Sequence, residues 1–354
     1  MNYIQLIINF AVKSLDKTDP DIFSQVQYND KIVGIEVSLM ASIAYITDRN
    51  MIEFHRLNGN RTMNFWRPSN SKKFTDFMPG DLLFFLAKGS ERGRRREKGI
   101  VGYGRFHKAH TLSFRQMWNV YGQENGYATE EELYDAIVKV SKNKKMPKAM
   151  NCLYLTDVIF FQAPIYLSEI GVEISNKIES YIYLDKEDPQ ATFKLLNKAK
   201  ETGIDMWMAA MSDESDQSFD LEEEQIKHQL SQIMLNAQDS FYTESEQKRL
   251  RRLARQIIEN KSEEKKIPEF IKGSRTELVC YTGERIEISI PFVYTSKDFY
   301  RKLQYLIGHC VMMKMEFLRC SEYHLPLYFE VVGEEPLPEE VVRVVQSLNE
   351  EERI

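Results

Sequence analysis

The stretch Pro79-Gly80-Asp81-Leu82-Leu83-Phe84-Phe85-Leu86-Ala87 decides how the amino-terminal half of the chain folds. Pro79 and Gly80 supply the backbone angles of a tight turn, and Leu82–Ala87 is an unbroken apolar run that predicts a buried strand. The polar segment Lys88–Gly99 (KGSERGRRREKG) then leads into a second strand, Ile100–Phe106. Together these residues predict a β-hairpin with a long basic tip.

Further elements are predicted on both sides of this hairpin. Before it we expect a weak strand and a short helix, and after it two helices that begin at capping residues, followed by two more strands. These are Ile32–Val37 and Ser38–Ile46, the helices from Ser113 to Tyr121 and from Thr129 to Lys142, and the strands Asn151–Gln162 and Lys177–Leu184. Asn64–Arg67 is expected to lead into a polar loop. Residues 1–190 are therefore predicted to form one domain of strands with flanking helices.

The pattern changes after residue 190. Residues 191–265 are predicted to form a helical and acidic linker region. An acidic, flexible stretch is expected at Ser212–Asp220, between helices whose apolar residues recur on one face. Residues 266–354 predict a small α/β domain of three strands around one long helix. The predicted segments are Thr192–Thr202, Leu221–Asn236, Thr243–Asn260, Glu277–Tyr281, Arg285–Phe292, Ser296–Leu318 and Leu327–Val332. The fold class is α+β.

Composition limits the kind of protein this can be. A hydrophobic content of 43% with 12% aromatic residues is enough for packed cores, which excludes a disordered chain. No apolar run approaches the length of a membrane span. The four cysteines contain no Cys-x-x-Cys pair, which favours a reduced cytoplasm over a zinc ribbon or a disulfide scaffold.

Charge is divided unevenly along the chain. Residues 1–152 hold 23 Lys and Arg against 16 Asp and Glu, whereas the remainder holds 24 against 37. A basic half beside an acidic half suits a nucleic-acid-facing domain joined to one that meets a protein partner or a second copy of the chain.

Five blocks of the first half, in order and spacing, resemble one protein family. They are Phe65-Trp66-Arg67-Pro68-Ser69, Pro79–Phe85, Ile100–Phe106, Trp118 with Tyr121–Gly126, and Cys152–Leu155 with Ile159–Phe161. This pattern is similar to the PUA-like, EVE-like amino-terminal sensor domain of modification-dependent restriction endonucleases that carry a carboxy-terminal HNH nuclease. The resemblance implies a PUA-like barrel that binds nucleic acid and holds a flipped, modified base in an aromatic pocket.

The second half departs from that family. It contains His309 and His324 but no compact His–Asn–His array and no paired cysteines, so the HNH activity is not carried over. One class of nuclease holds Mg²⁺ with an acidic residue and an acid-x-Lys sequence on the following strand. If Glu287 were the second acid, a lysine would be needed at position 289, where the chain has Ser289. Glu277 and Glu284 are the other acids nearby. We therefore assign no catalytic residue and expect no cofactor and no metal.

A base-reading pocket needs aromatic planes for stacking and polar groups for the base edge. We predict that Trp66, Tyr103 and Trp118 supply the planes, with Phe106 as a further candidate. Asn64, Arg67, Ser69 and Asn125 would supply the polar groups. Each aromatic residue could instead be an ordinary part of the core, and Asn125 could simply hold a turn.

The basic tip is the clearest electrostatic feature. Arg92, Arg94, Arg95, Arg96 and Lys98 are predicted to contact phosphate, because a hairpin tip cannot bury four arginines. His107 and His110 have metal-like spacing, and Cys280, Cys310, Cys320 and His324 could in principle gather around zinc. Loop histidines and buried structural cysteines explain these residues better.

These observations predict the nucleic-acid recognition subunit of a bacterial restriction or anti-phage defence system, located in the cytoplasm. DNA with a modified base is the expected ligand ahead of RNA. Catalysis would come from another subunit, docked through the acidic half. Two alternatives stay open: a Mg²⁺-dependent restriction nuclease with a diverged active site in the carboxy-terminal domain, and an interaction module that binds a nucleotide signal or a protein.

Overall fold

The computed structural model describes most of the chain beyond residue 41. The described residues are 42–68, 74, 77–141, 143–172, 178, 180–188, 190–211, 214–236, 241–262, 266–274, 276–320 and 325–350. The strand expected at Ile32–Val37 and the base-binding candidate Ser69 lie outside the described residues.

A six-stranded sheet forms the amino-terminal half. Its spatial order is β2-β5-β4-β3-β1-β6, with only β1 and β3 running parallel. The strands are β1 Ile43–Thr47, β2 Met63–Pro68, β3 Leu82–Ala87, β4 Ile100–Leu112, β5 Met150–Ile165 and β6 Tyr181–Tyr183. The predicted hairpin is β3–β4, and its first strand has the predicted bounds.

This sheet is curled rather than closed by hydrogen bonds. Among the described residues β2 and β6 are its two edges, and the ladder does not connect them. The rings of Tyr45 on β1 and Phe65 on β2 nevertheless lie 5.0 Å apart, although three strands separate β1 from β2 in the sheet. The expected closed barrel is therefore a half-barrel whose interior is filled by side chains. Register shifts in the β3–β4 and β4–β5 pairs mark irregularities of the kind that bend a sheet.

Helices surround the sheet and link it to the second half. They are α1 Arg49–Leu57, α2 Phe114–Tyr121, α3 Glu130–Val140, α4 Leu184–Glu187, α5 Ala191–Thr202, α6 Met206–Met211, α7 Glu214–Asn236, α8 Glu244–Asn260, α9 Phe299–Cys320 and α10 Glu339–Glu350. Two short 3₁₀ turns occupy Gly122–Asn125 and Leu167–Ile170. Leu195 and Leu196 of α5 are fully buried in the core beneath the outer face of the half-barrel.

Several local predictions are wrong. The helix expected at Ser38–Ile46 is a strand over its described end, because Ile43–Thr47 pairs with β3 on one side and β6 on the other. Asn64–Arg67 is part of strand β2, which ends at Pro68, and residues 69–73 of the loop expected after it lie outside the described residues. The flexible stretch expected at Ser212–Asp220 is helical from Glu214 onward, where it forms the first turns of α7.

The carboxy-terminal half contains a four-stranded sheet of order β10-β9-β8-β7. Its strands are β7 Glu269–Phe270, β8 Leu278–Tyr281, β9 Ile286–Phe292 and β10 Leu327–Gly333. The first three form an antiparallel meander, and α9 then crosses over to place β10 parallel to β9. One face packs against α7, α9 and α10, and the other against α8. The second half thus contains a small mixed sheet with helices on both faces, and its four strands exceed the three expected from the sequence.

Ion pairs connect the two sheets. Lys272, in the turn between β7 and β8, pairs with Asp81 at the start of β3, and Asp81 is 1% exposed. Arg105 of β4 pairs with Glu224 of α7, and its Nε lies 3.1 Å from Asp157 Oδ2. The Pro-Gly-Asp turn thus both starts a strand and anchors the second half. Within the described residues no helix is long and apolar enough to cross a membrane.

Candidate functional site

Strand β2 carries the candidate residues on two faces. Successive side chains of a strand point to opposite sides, so Asn64 and Trp66 share one face and Phe65 and Arg67 the other. The first pair lies against the 3₁₀ turn that contains Asn125. The second pair faces the inside of the curled sheet, where Phe65 meets Tyr45.

Asn64, Trp66 and Asn125 form one buried hydrogen-bond network. Trp66 Nε1 donates to the backbone oxygen of Asn125 at 3.0 Å, and Asn64 Nδ2 donates to Asn125 Oδ1 at 2.7 Å. Asn125 Nδ2 in turn donates to the oxygen of Gly122 at 2.7 Å, which holds the 3₁₀ turn. Asn64 and Asn125 are fully buried. The three residues lie together, but they bond to one another in the interior and fasten this turn to β2, so they do not line an open pocket.

Arg67 is different because its guanidinium is buried without matching acceptors. The residue is 2% exposed, and among the described residues no atom accepts a hydrogen bond from its Nε or Nη1. Its Cζ lies 4.0 Å from the centre of the Phe74 ring. An unsatisfied buried donor costs about 1–3 kcal/mol, and more when it carries charge. A buried guanidinium with two donors that lack acceptors indicates a ligand site in the half-barrel.

Aromatic rings collect around Arg67. Phe74 lies 4.8 Å from Tyr181 of β6, which stacks on Tyr45 at 5.8 Å and 9° and touches Tyr183 at 5.6 Å. All four rings are half-buried, so each presents some surface to solvent. Burial raises the pKa of the Tyr181 phenol, and the positive charge of Arg67 opposes this rise, so the two side chains are electrostatically coupled. We call Tyr45, Phe74, Tyr181 and Tyr183 the aromatic cluster.

None of the four residues of the aromatic cluster was among the site residues predicted from the sequence. Tyr45 fell in a segment interpreted as a helix, and Phe74 in a segment interpreted as a turn. The one available signal was the Tyr181-Ile182-Tyr183 alternation, which places two tyrosines on one face of a strand.

The other predicted aromatic residues lie elsewhere. Tyr103 is 0% exposed in the core that also contains α5, where it contacts Phe84 and Phe161. Phe106 is buried and stacks on Phe77 at 4.9 Å. Trp118 is half-buried on α2. The half-barrel therefore does not bring Tyr103 or Trp118 beside Arg67 in any contact among the described residues.

The basic tip is a tight turn held at its base. Arg92 and Glu97 exchange backbone hydrogen bonds of 3.0 and 3.1 Å. The Arg92 guanidinium lies 2.6 Å from Glu169 and stacks 3.5 Å from the centre of the Tyr166 ring. Ser168 donates to the Glu97 carboxylate through its backbone nitrogen and its hydroxyl, at 2.9 and 2.7 Å. Arg92 thus anchors the tip to the 3₁₀ turn after β5.

The remaining cations of the tip are available to a ligand. Arg94, Arg95 and Arg96 are exposed and Lys98 is half-buried. In the described part of the chain no carboxylate lies within ion-pair distance of any of them. Arg96 has a φ of 51°, a left-handed conformation that closes the turn and is unusual for a residue with a side chain. The contacts of Arg92 and Glu97 therefore fix the turn on which these four cations lie close together.

The acids considered for a diverged nuclease do not gather. Glu277, directly before β8, lies on the α9 side, where His309 Nε2 is 2.6 Å from its carboxylate, whereas Glu287 of β9 lies on the α8 side. The carboxylate that shares a face with Glu287 is Glu330 of β10, since Tyr328 is the register partner of Glu287. Both carboxylates already pair with cations, Glu287 with Arg285 and Glu330 with Lys261.

Metal ligation finds no support in the described residues. Nowhere in that part of the chain do three His, Cys, Asp or Glu side chains converge in a way that could hold a metal ion. His107 and His110 lie on β4, which continues to Leu112 instead of ending before them. His110 Nδ1 lies 3.0 Å from the Tyr121 hydroxyl. Cys310 is buried, burial raises its pKa, and His324 lies outside the described residues.

Comparison with known proteins gives a limited likeness. No protein-family model matches the chain, and no curated protein matches it. Among solved structures, an ASCH protein from Zymomonas mobilis is similar over 45% of this chain and 95% of its own, with 14% identity and a TM-score of 0.33. A point mutant of that protein covers 44% and 97%, with 15% identity and a TM-score of 0.32. The likeness thus concerns less than half of this chain.

Proposed function

We propose that the half-barrel is a PUA-like nucleic-acid reader domain in which Arg67 and the aromatic cluster receive a nucleobase. The observation that carries this proposal is the buried guanidinium of Arg67, whose Nε and Nη1 have no acceptor among the described residues. Guanidinium groups recognise paired acceptors, such as O6 and N7 of guanine, and stacking on aromatic rings contributes about 1–3 kcal/mol per base. A flat, acceptor-bearing ligand would satisfy both features at once.

The basic tip supports the same function by a different interaction. Arg94, Arg95, Arg96 and Lys98 would bind the phosphate backbone, which adds affinity without sequence information. The anchoring of the tip by Arg92 and Glu97 supports phosphate binding, because a pinned loop loses less conformational entropy when it meets its ligand.

We further propose DNA with a modified or extruded base as the ligand, and restriction or anti-phage defence as the biological role. The similarity of the five sequence blocks to sensor domains of restriction endonucleases supports this finer statement. The acidic second half would then dock a catalytic partner or a second copy of the chain.

Binding is tested by fluorescence anisotropy of labelled single- and double-stranded DNA and RNA, with and without modified cytosine or adenine. The full chain is expected to bind at least one of them, with affinity falling steeply as salt rises. Arg67→Met is expected to remove the preference between modified and unmodified bases. The triple variant R94A/R95A/R96A should weaken all sequences alike.

A matched control separates these effects from net charge. The variant K139A/K145A/K148A removes three cations from the same domain at exposed or half-exposed positions away from the tip. It should lose much less affinity than the tip variant. Equal losses in both triple variants, or no binding to any nucleic acid, would contradict the proposal.

A Mg²⁺-dependent nuclease is the second candidate function. It is favoured by one observation: Lys261 of the α8 end reaches Glu330 at 2.7 Å, so a lysine lies beside the face shared by Glu287 and Glu330. Cleavage of DNA in Mg²⁺ that disappears in both Glu287→Ala and Glu330→Ala would establish it. A third possibility, a module for a nucleotide signal or a protein, predicts calorimetric binding of free nucleotides or a protein partner without oligonucleotide binding.

A further inference from the structure

A cleft lies beside the 3₁₀ turn Gly122–Asn125, away from Arg67 and the aromatic cluster. It encloses about 330 Å³ between the end of α1 and the turn that follows α2. Two rings and four oxygen-bearing side chains line it: Phe54, Asn58, Asn60, Tyr121, Gln123 and Glu124. None of these residues belongs to the aromatic cluster or to the basic tip.

The amide groups in this cleft already donate hydrogen bonds within the chain. Asn58 Nδ2 donates to the oxygen of Phe54 at 2.7 Å, and Gln123 Nε2 donates to the oxygen of Ala128 at 3.3 Å. Asn60 Nδ2 lies 2.9 Å from His55 Nδ1, and burial lowers the pKa of His55 to about 4, so the neutral ring accepts there. Among the described residues no donor reaches the three amide oxygens.

Glu124 adds a negative charge that is not neutralised. Its Oε1 accepts from Thr62 Oγ1 at 2.5 Å and lies 3.4 Å from the Tyr154 hydroxyl. Within the described part of the chain no Lys, Arg or His nitrogen lies within ion-pair distance of this carboxylate. These two hydroxyl contacts fix the carboxylate in place while leaving Oε2 for a ligand.

We propose that this cleft binds a small organic cation that carries ammonium or guanidinium groups. Four oxygen acceptors require a ligand rich in N–H donors, and the single unpaired carboxylate requires positive charge. The half-buried ring of Phe54 suits such a ligand, because a cation gains energy over an aromatic face. A phosphate or a nucleic-acid backbone would be repelled by the same carboxylate, so this site is separate from the proposed nucleic-acid interface.

Isothermal titration calorimetry of the full chain with agmatine tests the proposal, since agmatine has a guanidinium at one end and an ammonium at the other. Saturable binding of one equivalent is expected, measured against sodium chloride of equal ionic strength. Spermidine, which has only ammonium-type groups, should compete for the same site.

Glu124→Gln keeps the acceptor for Thr62 and Tyr154 but removes the charge. It should weaken agmatine binding by about tenfold or more, the effect of losing one charge-assisted hydrogen bond. Gln123→Ala, at an exposed position that no core packing requires, should weaken it by a smaller factor. The matched control is Glu131→Gln on α3, which removes an exposed carboxylate outside the cleft and should change nothing.

Three results would overturn the proposal: no heat of binding for agmatine or spermidine at millimolar concentration, equal binding by wild type and Glu124→Gln, or binding of neutral guanosine in place of the cations. Thermal unfolding of each variant checks that the fold is kept. The calorimetry uses a free small cation and no oligonucleotide. Absence of agmatine binding would therefore not affect the test of nucleic-acid binding.

Discussion

The indole Nε1 of Trp66 donates a 3.0 Å hydrogen bond to the backbone oxygen of Asn125, which is 59 residues further along the chain. Trp66 is 8% exposed, so this bond is made away from water. It joins the edge strand β2 to the 3₁₀ turn that also borders the cleft of Gln123 and Glu124. The two candidate sites of the half-barrel therefore share one structural connection.

Trp66→Phe is expected to destabilise the protein by about 1–3 kcal/mol, because the buried oxygen of Asn125 loses its donor while most of the apolar volume is kept. Urea unfolding followed by circular dichroism measures the change. Trp118→Phe is the matched control, since Trp118 is half-buried and its indole makes no hydrogen bond among the described residues. An equal loss in both variants would mean that the bond to Asn125 contributes nothing.

Arg67→Met should separate stability from binding. The substitution removes a buried cation whose Nε and Nη1 have no acceptor, so the free energy of unfolding is expected to stay equal or to rise. The affinity of Arg67→Met for oligonucleotides is expected to be lower than that of the unchanged protein. A large loss of stability would instead indicate that Arg67 serves the packing of Phe74 and the half-barrel.

Salt dependence gives a quantitative test of the basic tip. Each phosphate contact contributes about 0.9 to the slope of log K against log salt for duplex DNA, so R94A/R95A/R96A should reduce that slope by about 2 to 3. The binding constant is measured by fluorescence anisotropy at KCl concentrations from about 50 to about 300 mM, and the slope is taken from these values. An unchanged slope would remove these three arginines from the interface.

Gly126 is a position where only glycine fits. Its φ is +84°, and a Cβ there would lie 2.6 Å from Met51 Cγ and 3.0 Å from His55 Nε2. Gly126→Ala is therefore expected to destabilise the protein by about 1–3 kcal/mol through backbone strain and overpacking. Gly308→Ala in α9 is the opposite case, because a Cβ there meets nothing within 4 Å, and it should stabilise the helix by up to about 1 kcal/mol. Thermal unfolding of the pair gives the comparison.

The sequence predicted local elements well where their signals are local. Leu82–Ala87 is a long apolar run beside a Pro-Gly turn, and the helix after Ser113 begins with the predicted cap, in which the Ser113 hydroxyl accepts a hydrogen bond from Gln116 N. Ile43–Thr47 was misinterpreted because its strand character depends on parallel pairing with β3, some forty residues away in sequence. No local pattern reports a pairing of that kind.

The candidate site was only partly predictable for the same reason. Arg67 was selected for its place beside Trp66, but the rings that surround it come from β1, β6 and the segment before β3. They meet only because the sheet curls. Tyr103 carries the residue type of a stacking platform, yet the outward orientation of its side chain places it under α5. Side-chain direction in a bent strand is set by tertiary packing.

Two buried histidines make stability depend on pH. Burial lowers the pKa of His55 and of His228 to about 4 from 6.5, so between these values the unfolded chain binds protons that the folded chain does not. Each histidine therefore removes about 1.4 kcal/mol per pH unit as the pH falls through this window. Asp185 acts in the opposite sense, because burial raises its pKa to about 6 from 3.8 and the folded state takes up its proton first. These three groups together give a net loss of about 1.4 kcal/mol per unit between pH 6 and 4. Carboxylates whose pKa is lowered in the folded state, such as Glu334, add to this loss as the pH approaches 4.

Urea unfolding at half-unit steps from pH 7 to pH 4 measures this slope. His228→Gln removes one of the two histidine contributions and should lower the slope between pH 6 and 4 by about 1.4 kcal/mol per unit, whatever it does to stability at pH 7. His107→Gln, at an exposed position on β4, is the matched control and should leave the slope of the wild type unchanged. If His228→Gln keeps the full slope, protonation of His228 does not accompany unfolding, and the acid sensitivity must come from other groups.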